Sequence, residues 1–175
     1  MGYVMRALVA ALAVLPALLA NEPARAGARL IDYGMYATSG ETNCDFSAPI
    51  GYCALSSIQH VATATDIPGA LGISFGIHYA LDEGPSVRSV LVFPPAGLKN
   101  PRFPAPAHSY SHDETCGGSS CYDLYSLDFP WEVVEGIWTF QIWANGSLVL
   151  EKKLRVVLPN KKKPGKGDTR HIAAL

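Results

Sequence analysis

The stretch HSYSHDETCGGSSC, residues 108–121, concentrates side chains that are suited to holding a metal ion. It contains His108 and His112, with Asp113 and Glu114 directly after them. Imidazole and carboxylate groups are ligands that zinc and copper accept in proteins. One hypothesis is therefore a zinc or copper site built on His108 and His112, with Asp113 or Glu114 as a further ligand.

The spacing of the two histidines argues against that site. Residues four apart share one face of a helix, but the preceding Pro104 and Pro106 and the following Gly-Gly disfavour a helix. In a strand, four residues also share a face, yet their Cα atoms lie about 13 Å apart. A metal site would therefore need a folded loop, and exposed loop histidines are the alternative interpretation.

The four cysteines form two local pairs, Cys44 with Cys53 and Cys116 with Cys121. Three disulfide connectivities are open to four cysteines. The local pairing is favoured because closing a short loop costs less chain entropy than closing one of some seventy residues. The spacings do not match the C-x2-C pairs of common structural zinc sites. Bridged cysteines would be neither metal ligands nor nucleophiles.

The sequence offers no motif of nucleophilic or phosphate chemistry in the context that such a motif needs. A G-x-S-x-G match at residues 72–76 lies inside the alternating pattern of a predicted strand and not at a strand-to-helix elbow, and H-E-x-x-H, a phosphate-binding P-loop and G-x-G-x-x-G do not occur. The sequence therefore predicts no catalytic residue, no cofactor and no enzyme, with an exported hydrolase kept as the alternative.

The two ends of the chain differ in character from its middle. Residues 1–26 read as a cleaved signal peptide, with a fourteen-residue apolar run and a final Ala-Arg-Ala. That run is too short for a membrane anchor, which needs about twenty residues. Residues 160–175 carry five basic residues against one acidic and predict a disordered tail.

The middle, residues 27–159, is the size of one domain and is acidic. It carries seven Lys and Arg against thirteen Asp and Glu, for a net charge of minus six. Recognition of nucleic acid needs a basic patch or stripe, so nucleic acid is excluded as a partner. The sequence predicts a periplasmic or secreted protein with disulfides and no membrane anchor after signal cleavage.

Alternation of apolar and polar residues indicates strands throughout this domain. In GISFGIHYAL the large side chains occupy every second position from Ile73 to Leu81. Turn residues separate these segments, and residues 94–130 are predicted to be the least regular part because they contain six prolines. The pattern predicts an all-β fold, an antiparallel β-sandwich of immunoglobulin-like type. Further strand candidates are residues 29–37, 57–67, 86–93, 138–144 and 148–157.

The sequence of the last predicted hairpin, residues 138–157, indicates how its two strands pair. A plain two-residue turn at Asn145-Gly146 would place charged residues opposite Trp138 and Phe140. A shift of one residue sets Trp138 opposite Leu154 and Ile142 opposite Leu150. We therefore expect a three-residue loop, residues 145–147, or a β-bulge beside the turn. Trp143 lies on the opposite face near the hairpin tip and is the candidate contact residue, with packing in the sheet as the alternative.

The order of motifs resembles one bacterial family. ATDIPGALGISFGIHYAL is followed by VLVFPPAGLKNP, then HSYSHDE, then PWEVVEGIWTFQIWANGSLVLEKKLRVV. This order is similar to exported proteins of the domain-of-unknown-function family 3859, over about residues 30–157. The resemblance implies a small immunoglobulin-like sandwich and carries over no catalytic residue. The Cys116–Cys121 segment and the basic tail depart from the family pattern.

The sequence thus favours a non-enzymatic binding or interaction module of the cell envelope, acting on an unknown protein or envelope component. The alternative is a periplasmic zinc- or copper-handling protein that uses His108, His112 and Asp113.

Overall fold

A computed structural model of the chain describes residues 27–82, 86–116 and 120–159. The predicted signal peptide, residues 1–26, and the predicted tail, residues 160–175, lie outside these ranges. None of the described residues forms a helix that is long and apolar enough to cross a membrane. The strands are β1 (Ala28–Asp45), β2 (Tyr52–Ala62), β3 (Asp66–Pro68), β4 (Ser74–Leu81), β5 (Ser86–Val92), β6 (Ser109–Thr115), β7 (Ser120–Ser126), β8 (Gly136–Ala144) and β9 (Ser147–Val157), with one 3-10 turn at Pro130–Glu132.

The strands form two sheets, which confirms the predicted all-β sandwich. One sheet has four strands in the order β2-β1-β4-β7, and the other has five in the order β3-β9-β8-β5-β6. All strand pairs are antiparallel except β3 with β9, which run parallel for three residues. β7 and β6 are therefore edge strands of different sheets.

The core lies where the alternating apolar faces of the two sheets meet. Phe75 and Ile77 of β4 are fully buried, as are Trp138, Phe140 and Ile142 of β8. The Trp138 ring meets Phe75 edge-on with the ring centroids 5.3 Å apart. Aromatic pairs in this geometry add to the stabilisation from burial itself.

The hairpin of β8 and β9 has the predicted register. Trp138 pairs with Leu154 and Ile142 with Leu150, but Trp143 pairs with Leu148, so Val149 is the extra residue of a β-bulge. The turn itself is the two-residue Asn145-Gly146, with both φ angles positive. Without the bulge, this two-residue turn would direct the apolar side chains of β9 toward solvent. The bulge shifts the pairing by one residue, so that these side chains point into the core.

Lys152 is the one charged residue on the buried face of β9. Its Nζ lies 3.3 Å from the centroid of the Tyr33 ring on β1. This cation–π contact joins the two sheets and lets a lysine occupy a position that otherwise belongs to the core.

One prediction about strand boundaries was wrong. Residues 57–67 do not form one strand, because the chain leaves β2 at Ala62 and enters the other sheet as β3. Residues 94–130, which were predicted to be the least regular part, contain two strands that the sequence analysis did not propose, β6 and β7. Neither strand shows a simple apolar alternation, since several of their inward side chains are polar or charged.

The long strand β1 serves two partners in succession. It pairs with β4 as far as Tyr36 and with β2 from Met35 onward. Residues 37–57 therefore extend beyond the sheet as a two-stranded arm, and Cys44 and Cys53 are bonded within it, with Cα atoms 4.1 Å apart. We call these residues the arm.

Candidate functional site

The two sheets are tied together at one corner by the Cys116–Cys121 disulfide. Cys116 follows β6 and Cys121 belongs to β7, so this bridge connects edge strands of different sheets, with Cα atoms 5.3 Å apart. Facing sheets normally lie about 10 Å apart. The distance between β6 and β7 therefore increases away from the disulfide. We call the widening space between these two strands the wedge. Both predicted cysteine pairs are confirmed.

The arm lies across the open side of this wedge. Its Tyr52 ring is 5.6 Å from the His112 ring of β6. Ile50, at the tip of the arm, is only 4% exposed and belongs to the core. Asn100 donates a hydrogen bond of 2.9 Å to the Pro49 carbonyl. The arm, β6 and β7, together with residues of β5 and residues 100–102, line a cavity of about 1010 Å³ that is open to solvent on one side.

Seven aromatic and five acidic residues are among those that line this cavity. Its volume lies at the upper end of the range usual for small-molecule sites. The aromatic members are Phe46, Tyr52, Tyr110, Tyr122, Tyr125, Phe129 and Trp131, and the acidic members are Glu41, Glu114, Asp123, Asp128 and Glu132.

Asp123 is a buried carboxylate between the two sheets. It points inward from β7 and is 6% exposed. Ser89 of β5, in the other sheet, donates a hydrogen bond to it. Removal of the carboxylate from water raises its pKa to about 6, although the Ser89 hydrogen bond acts in the opposite direction.

His112 faces the same space from β6. Its Nε2 lies 3.2 Å from a Glu114 carboxylate oxygen. This contact raises the pKa of the imidazole, whereas burial lowers it. The ring lies between Tyr52 and Tyr110, whose centroid is 5.5 Å away. If Nε2 donates to Glu114, then Nδ1 is the acceptor nitrogen of the neutral ring.

Two buried polar atoms near Asp123 have no hydrogen-bond partner among the described residues. They are Nδ1 of His112 and the hydroxyl of Tyr79, a fully buried residue of β4. Burial and the nearby charges of Asp123 and Glu114 raise the pKa of Tyr79. A buried polar group without a partner costs about 1–3 kcal/mol. Neither atom has accessible surface, so both are buried polar groups of the core beside Asp123.

Glu132 stabilises the turn that lines another part of the cavity. This buried carboxylate accepts hydrogen bonds from the Tyr125 hydroxyl (3.0 Å) and from the backbone N–H groups of Asp128 and Phe129 (2.8 Å each). These bonds fix the turn after β7, where the Phe129 and Trp131 rings stack with their planes 8° apart. The stacked pair forms part of the cavity lining.

The predicted metal residues are not brought together. His108 precedes β6, and its carbonyl accepts a hydrogen bond from Phe93 N–H. Asp113 alternates with His112 along the strand and faces solvent, where it pairs with Arg88 at 2.9 Å. Among the described residues, the three side chains do not meet at ligand distance, so they do not form the proposed metal site. The extended strand separates them, as the spacing argument expected.

One other group of potential ligands is close in space. Glu41, Cys44 and Cys53 have ligand atoms within 4.8 Å of one another. Both sulfur atoms belong to the disulfide of the arm, so they do not act as thiolate ligands.

Trp143 does not line the cavity. It is half-buried on the outer face of β8, and its Nε1 donates to the Gln141 side chain over 3.3 Å. It borders a shallow groove beside Arg88 and Asp113. Its role as a contact residue stays a prediction.

The sequence reasoning missed Asp123, Ser89 and the Phe129–Trp131 pair. A signal was available in SCYDLYSL, where alternate positions place Asp123 on the same face as Cys121, Tyr125 and Leu127. An acidic residue on an otherwise apolar strand face is unusual because its burial is costly.

Comparisons with known proteins support the fold. No family model and no curated protein matches the chain, so the resemblance to the domain-of-unknown-function family 3859 stays a prediction. Among solved structures, the chain is similar to an immunoglobulin-like protein from Pseudomonas aeruginosa, with 21% identity and a TM-score of 0.56. The match covers 77% of this chain and all of that chain. The protein thus has an immunoglobulin-like fold.

Proposed function

We propose that this protein is an exported binding module of the cell envelope and that its ligand occupies the cavity between the arm and the β6–β7 wedge. The cavity carries the proposal, because its volume of about 1010 Å³ is large enough for a small organic molecule. Membership of the domain-of-unknown-function family 3859 is part of the same proposal and rests on the sequence motifs alone.

The proposed role is binding and not catalysis. Ser89 lies next to His112 in the β5–β6 register, which places a hydroxyl beside an imidazole. However, the Ser89 hydroxyl donates its proton to Asp123, whereas the imidazole is bonded to Glu114. A serine nucleophile needs a base that accepts its proton and is reoriented by a third group. The observed bonds instead stabilise the cavity wall.

The two disulfides and the immunoglobulin-like fold are consistent with an extracytoplasmic protein. We place it in the periplasm or among secreted proteins, where an oxidising environment would maintain the bridge that closes the wedge corner and the bridge within the arm.

The test uses a variant that fills the cavity. Ala54 lines the cavity from the arm, and Ala54→Trp would occupy part of that space. Ala70→Trp is the matched control, because Ala70 is exposed and does not belong to the lining. Each protein would be produced with its own N-terminal segment in an exporting bacterium and heated with a small-molecule extract of the envelope.

We expect the extract to raise the melting temperature of the wild type and of Ala70→Trp by a few degrees, because a ligand that binds only the folded state stabilises it. Ala54→Trp should show no such rise. Equal shifts in both variants, or no shift in any of the three proteins, would contradict the proposed site.

A further inference from the structure

We propose that the cavity is a slot for an added β-strand, and that residues 160–175 of this chain occupy it by pairing with the open edge of β7. The inference goes beyond the proposed function, because it concerns a segment of the chain itself and not an external ligand. It is argued from the two free edges of the four-stranded sheet, from the size of the cavity and from the place where the described chain leaves the domain.

The cavity lies at the edge of β7 and not on one of its faces. All seven residues of β7, Ser120–Ser126, line it, whereas the neighbouring strand β4 contributes none. Alternate side chains of a strand point to opposite faces, so a cavity that meets every residue in turn lies beside the edge of the strand. Among the described strands, β7 pairs with β4 alone, so this edge has no partner strand.

The register shows which backbone groups of β7 face the cavity. In line with the β4–β7 pairing, the Leu127 N–H donates to the Ile73 carbonyl over 2.9 Å. In an antiparallel pair, residues that bond to the partner alternate with residues whose N–H and C=O groups point away from it. The backbone groups of Tyr122, Leu124 and Ser126 therefore point away from β4 and toward the cavity, as a row of donors and acceptors at strand spacing.

The free edge of β2 borders the same cavity. The consecutive β2 residues from Tyr52 to Leu55 line it, and β1, their neighbour in the arm, contributes only Glu41. β2 and β7 are the two edge strands of the four-stranded sheet. The inward side chains of Ser89 and Leu91 on β5 line the cavity as well. A strand placed along β7 would cover this part of the five-stranded sheet.

The cavity has about the volume of one short strand. A strand residue rises about 3.3 Å, lies about 4.8 Å from the next strand and about 10 Å from the facing sheet, so it fills about 160 Å³. The cavity volume of about 1010 Å³ therefore corresponds to about six residues of extended chain, close to the seven residues of β7.

The described chain leaves the domain close to this slot. At the end of β9 the Val157 carbonyl accepts a hydrogen bond from Gly69 N–H, and Gly72 N–H donates to the Leu127 carbonyl, each over 2.8 Å. Leu127 directly precedes Asp128 of the cavity lining. Sixteen residues of the sequence follow the described ranges, which amounts to at most about 53 Å of extended chain. The segment is therefore long enough to enter the slot.

The charge of this segment is complementary to the slot. Residues 160–175 carry five basic residues against one acidic. The cavity lining has five acidic residues and two basic side chains, Arg102 and His112. Opposite charges on the segment and the lining favour their association and orient the segment toward the slot.

Residues 169–175, TRHIAAL, are the part of the segment that pairs with β7. Proline and glycine disfavour strand pairing, and within the segment both occur only before this stretch, at Pro164, Gly165 and Gly167. The stretch lacks a core of its own, but the edge of β7 supplies backbone partners for an added strand. Because the segment is tethered, its effective concentration at the slot reaches the millimolar range, so weak pairing is enough to fill it.

Amide hydrogen exchange measured by NMR tests the pairing residue by residue. The exported full chain is compared with a version that ends at residue 159. We expect the N–H groups of Tyr122, Leu124 and Ser126 to exchange at least about tenfold more slowly in the full chain, because the added strand protects them. The N–H groups of Asp123 and Tyr125 bond to β4 and should be protected in both versions. Equal exchange of the first three amides in the two versions would contradict the inference.

NMR titration of the version that ends at residue 159 tests the segment itself. The probes are two synthetic peptides, residues 160–175 and residues 160–168, of which the shorter keeps four of the five basic residues but lacks the pairing part. We expect only the longer peptide to bind, and to bind the full chain at least about tenfold more weakly, because its slot is already occupied. Equal binding of the two peptides would reduce the interaction to general attraction by the acidic lining and would overturn the inference.

Leu124→Pro tests the edge of β7 directly. Proline removes the N–H that points to the slot, whereas the pairing with β4 does not use this group. We expect the affinity of the longer peptide to fall at least about tenfold. Ser111→Pro is the matched control: Ser111 lies on the free edge of β6, outside the cavity lining, and should change the affinity less than about twofold. An equal effect of both prolines, or no effect of either, would rule out the edge of β7 as the binding site.

Three further outcomes separate this inference from other occupants and from the proposed function. If the full chain self-associates and the version that ends at residue 159 stays monomeric, the segment enters the slot of a second copy, and the assignment to the same molecule is wrong. If the envelope extract raises the melting temperature of both versions but neither peptide binds, this inference fails and the proposed function stands. If the longer peptide binds and the extract shifts neither version, the inference stands and the proposed function fails.

Discussion

A carboxylate between two sheets destabilises the fold whenever it is charged, and Asp123 is in that position. Its pKa of about 6 means that the folded protein holds this proton more tightly than an unfolded chain, where the value is about 3.9. Between about pH 4 and pH 6 the folded state therefore binds more protons, and stability falls as pH rises through that window.

Replacing Asp123 by Asn should remove this pH dependence. The amide keeps an oxygen that accepts from Ser89 but carries no charge. We expect Asp123 to contribute a fall of up to about 3 kcal/mol in the free energy of unfolding between pH 4 and pH 6, which Asp123→Asn should lack. The variant keeps the slope that comes from Asp128 and Glu132, whose pKa values burial also raises. Chemical unfolding at several pH values measures both.

His112 contributes little to the difference between the wild type and Asp123→Asn from pH 4 to pH 6, because its imidazole is mostly protonated in both the folded and the unfolded state. The raised pKa of His112 contributes stability that is complete below about pH 6.5 and is lost as pH rises through its folded value. Asp113→Asn is the control, because Asp113 is exposed and its pKa is lowered by Arg88. A slope for Asp123→Asn equal to that of the wild type would refute the assignment.

At the scale of single residues, the sequence identified His112 and Glu114, which are in contact, but not the residues that surround them. The other predicted partners, His108 and Asp113, are separated from His112 by strand geometry. Ser89, which pairs with His112, and Asp123, which accepts from Ser89, come from two other strands, one in each sheet. Such a juxtaposition depends on tertiary pairing, which local spacing does not encode.

At the scale of secondary-structure elements the sequence predicted more, because local patterns determined most of the strands. The alternation in β4 and the conflict between turn and core face in β8–β9 each had one solution that buried the apolar side chains. β6 and β7 were missed because their inward positions include His112, Glu114 and Asp123. A strand that faces a polar cavity lacks the apolar period by which strands are recognised.

The bulge at Val149 gives a prediction at this scale. Deleting Val149 removes the bulge and brings Leu150 directly after Leu148, so a plain two-residue turn then keeps Ile142 opposite Leu150 and Trp138 opposite Leu154. We expect a loss of no more than about 1.5 kcal/mol, because the same apolar side chains stay buried. Urea unfolding of the deletion variant measures this.

Val149→Ala is the matched control, since it keeps the chain length and the half-buried position. It should cost no more than about 1.5 kcal/mol. A deletion variant that is less stable than Val149→Ala by about 3 kcal/mol or more would contradict this, because such a loss is the size expected when charges enter the core face.

For the whole molecule, the arm and the wedge together determine whether the cavity exists. The sandwich core is complete without the arm apart from Ile50, whereas the cavity needs the arm as its outer wall. The sequence predicted both disulfides. It did not predict that the arm is a cavity wall separate from the core, because the path of the arm across the β6–β7 edge follows from how the sheets twist and stack. The two bridges should therefore stabilise different parts of the protein.

The last prediction compares the two bridges by replacing each pair with serine. Loop-closure entropy assigns about 2–3 kcal/mol to either bridge. In Cys44→Ser/Cys53→Ser we expect that loss to appear locally, as faster amide hydrogen exchange in the arm with little change in global unfolding. In Cys116→Ser/Cys121→Ser it should appear globally, because those residues are buried in the core and join the sheets. Exchange mass spectrometry and urea unfolding distinguish the two. If removing the arm bridge lowers global stability as much as removing the corner bridge, while the arm amides stay protected, then the arm is part of the cooperative core and not a separable wall of the cavity.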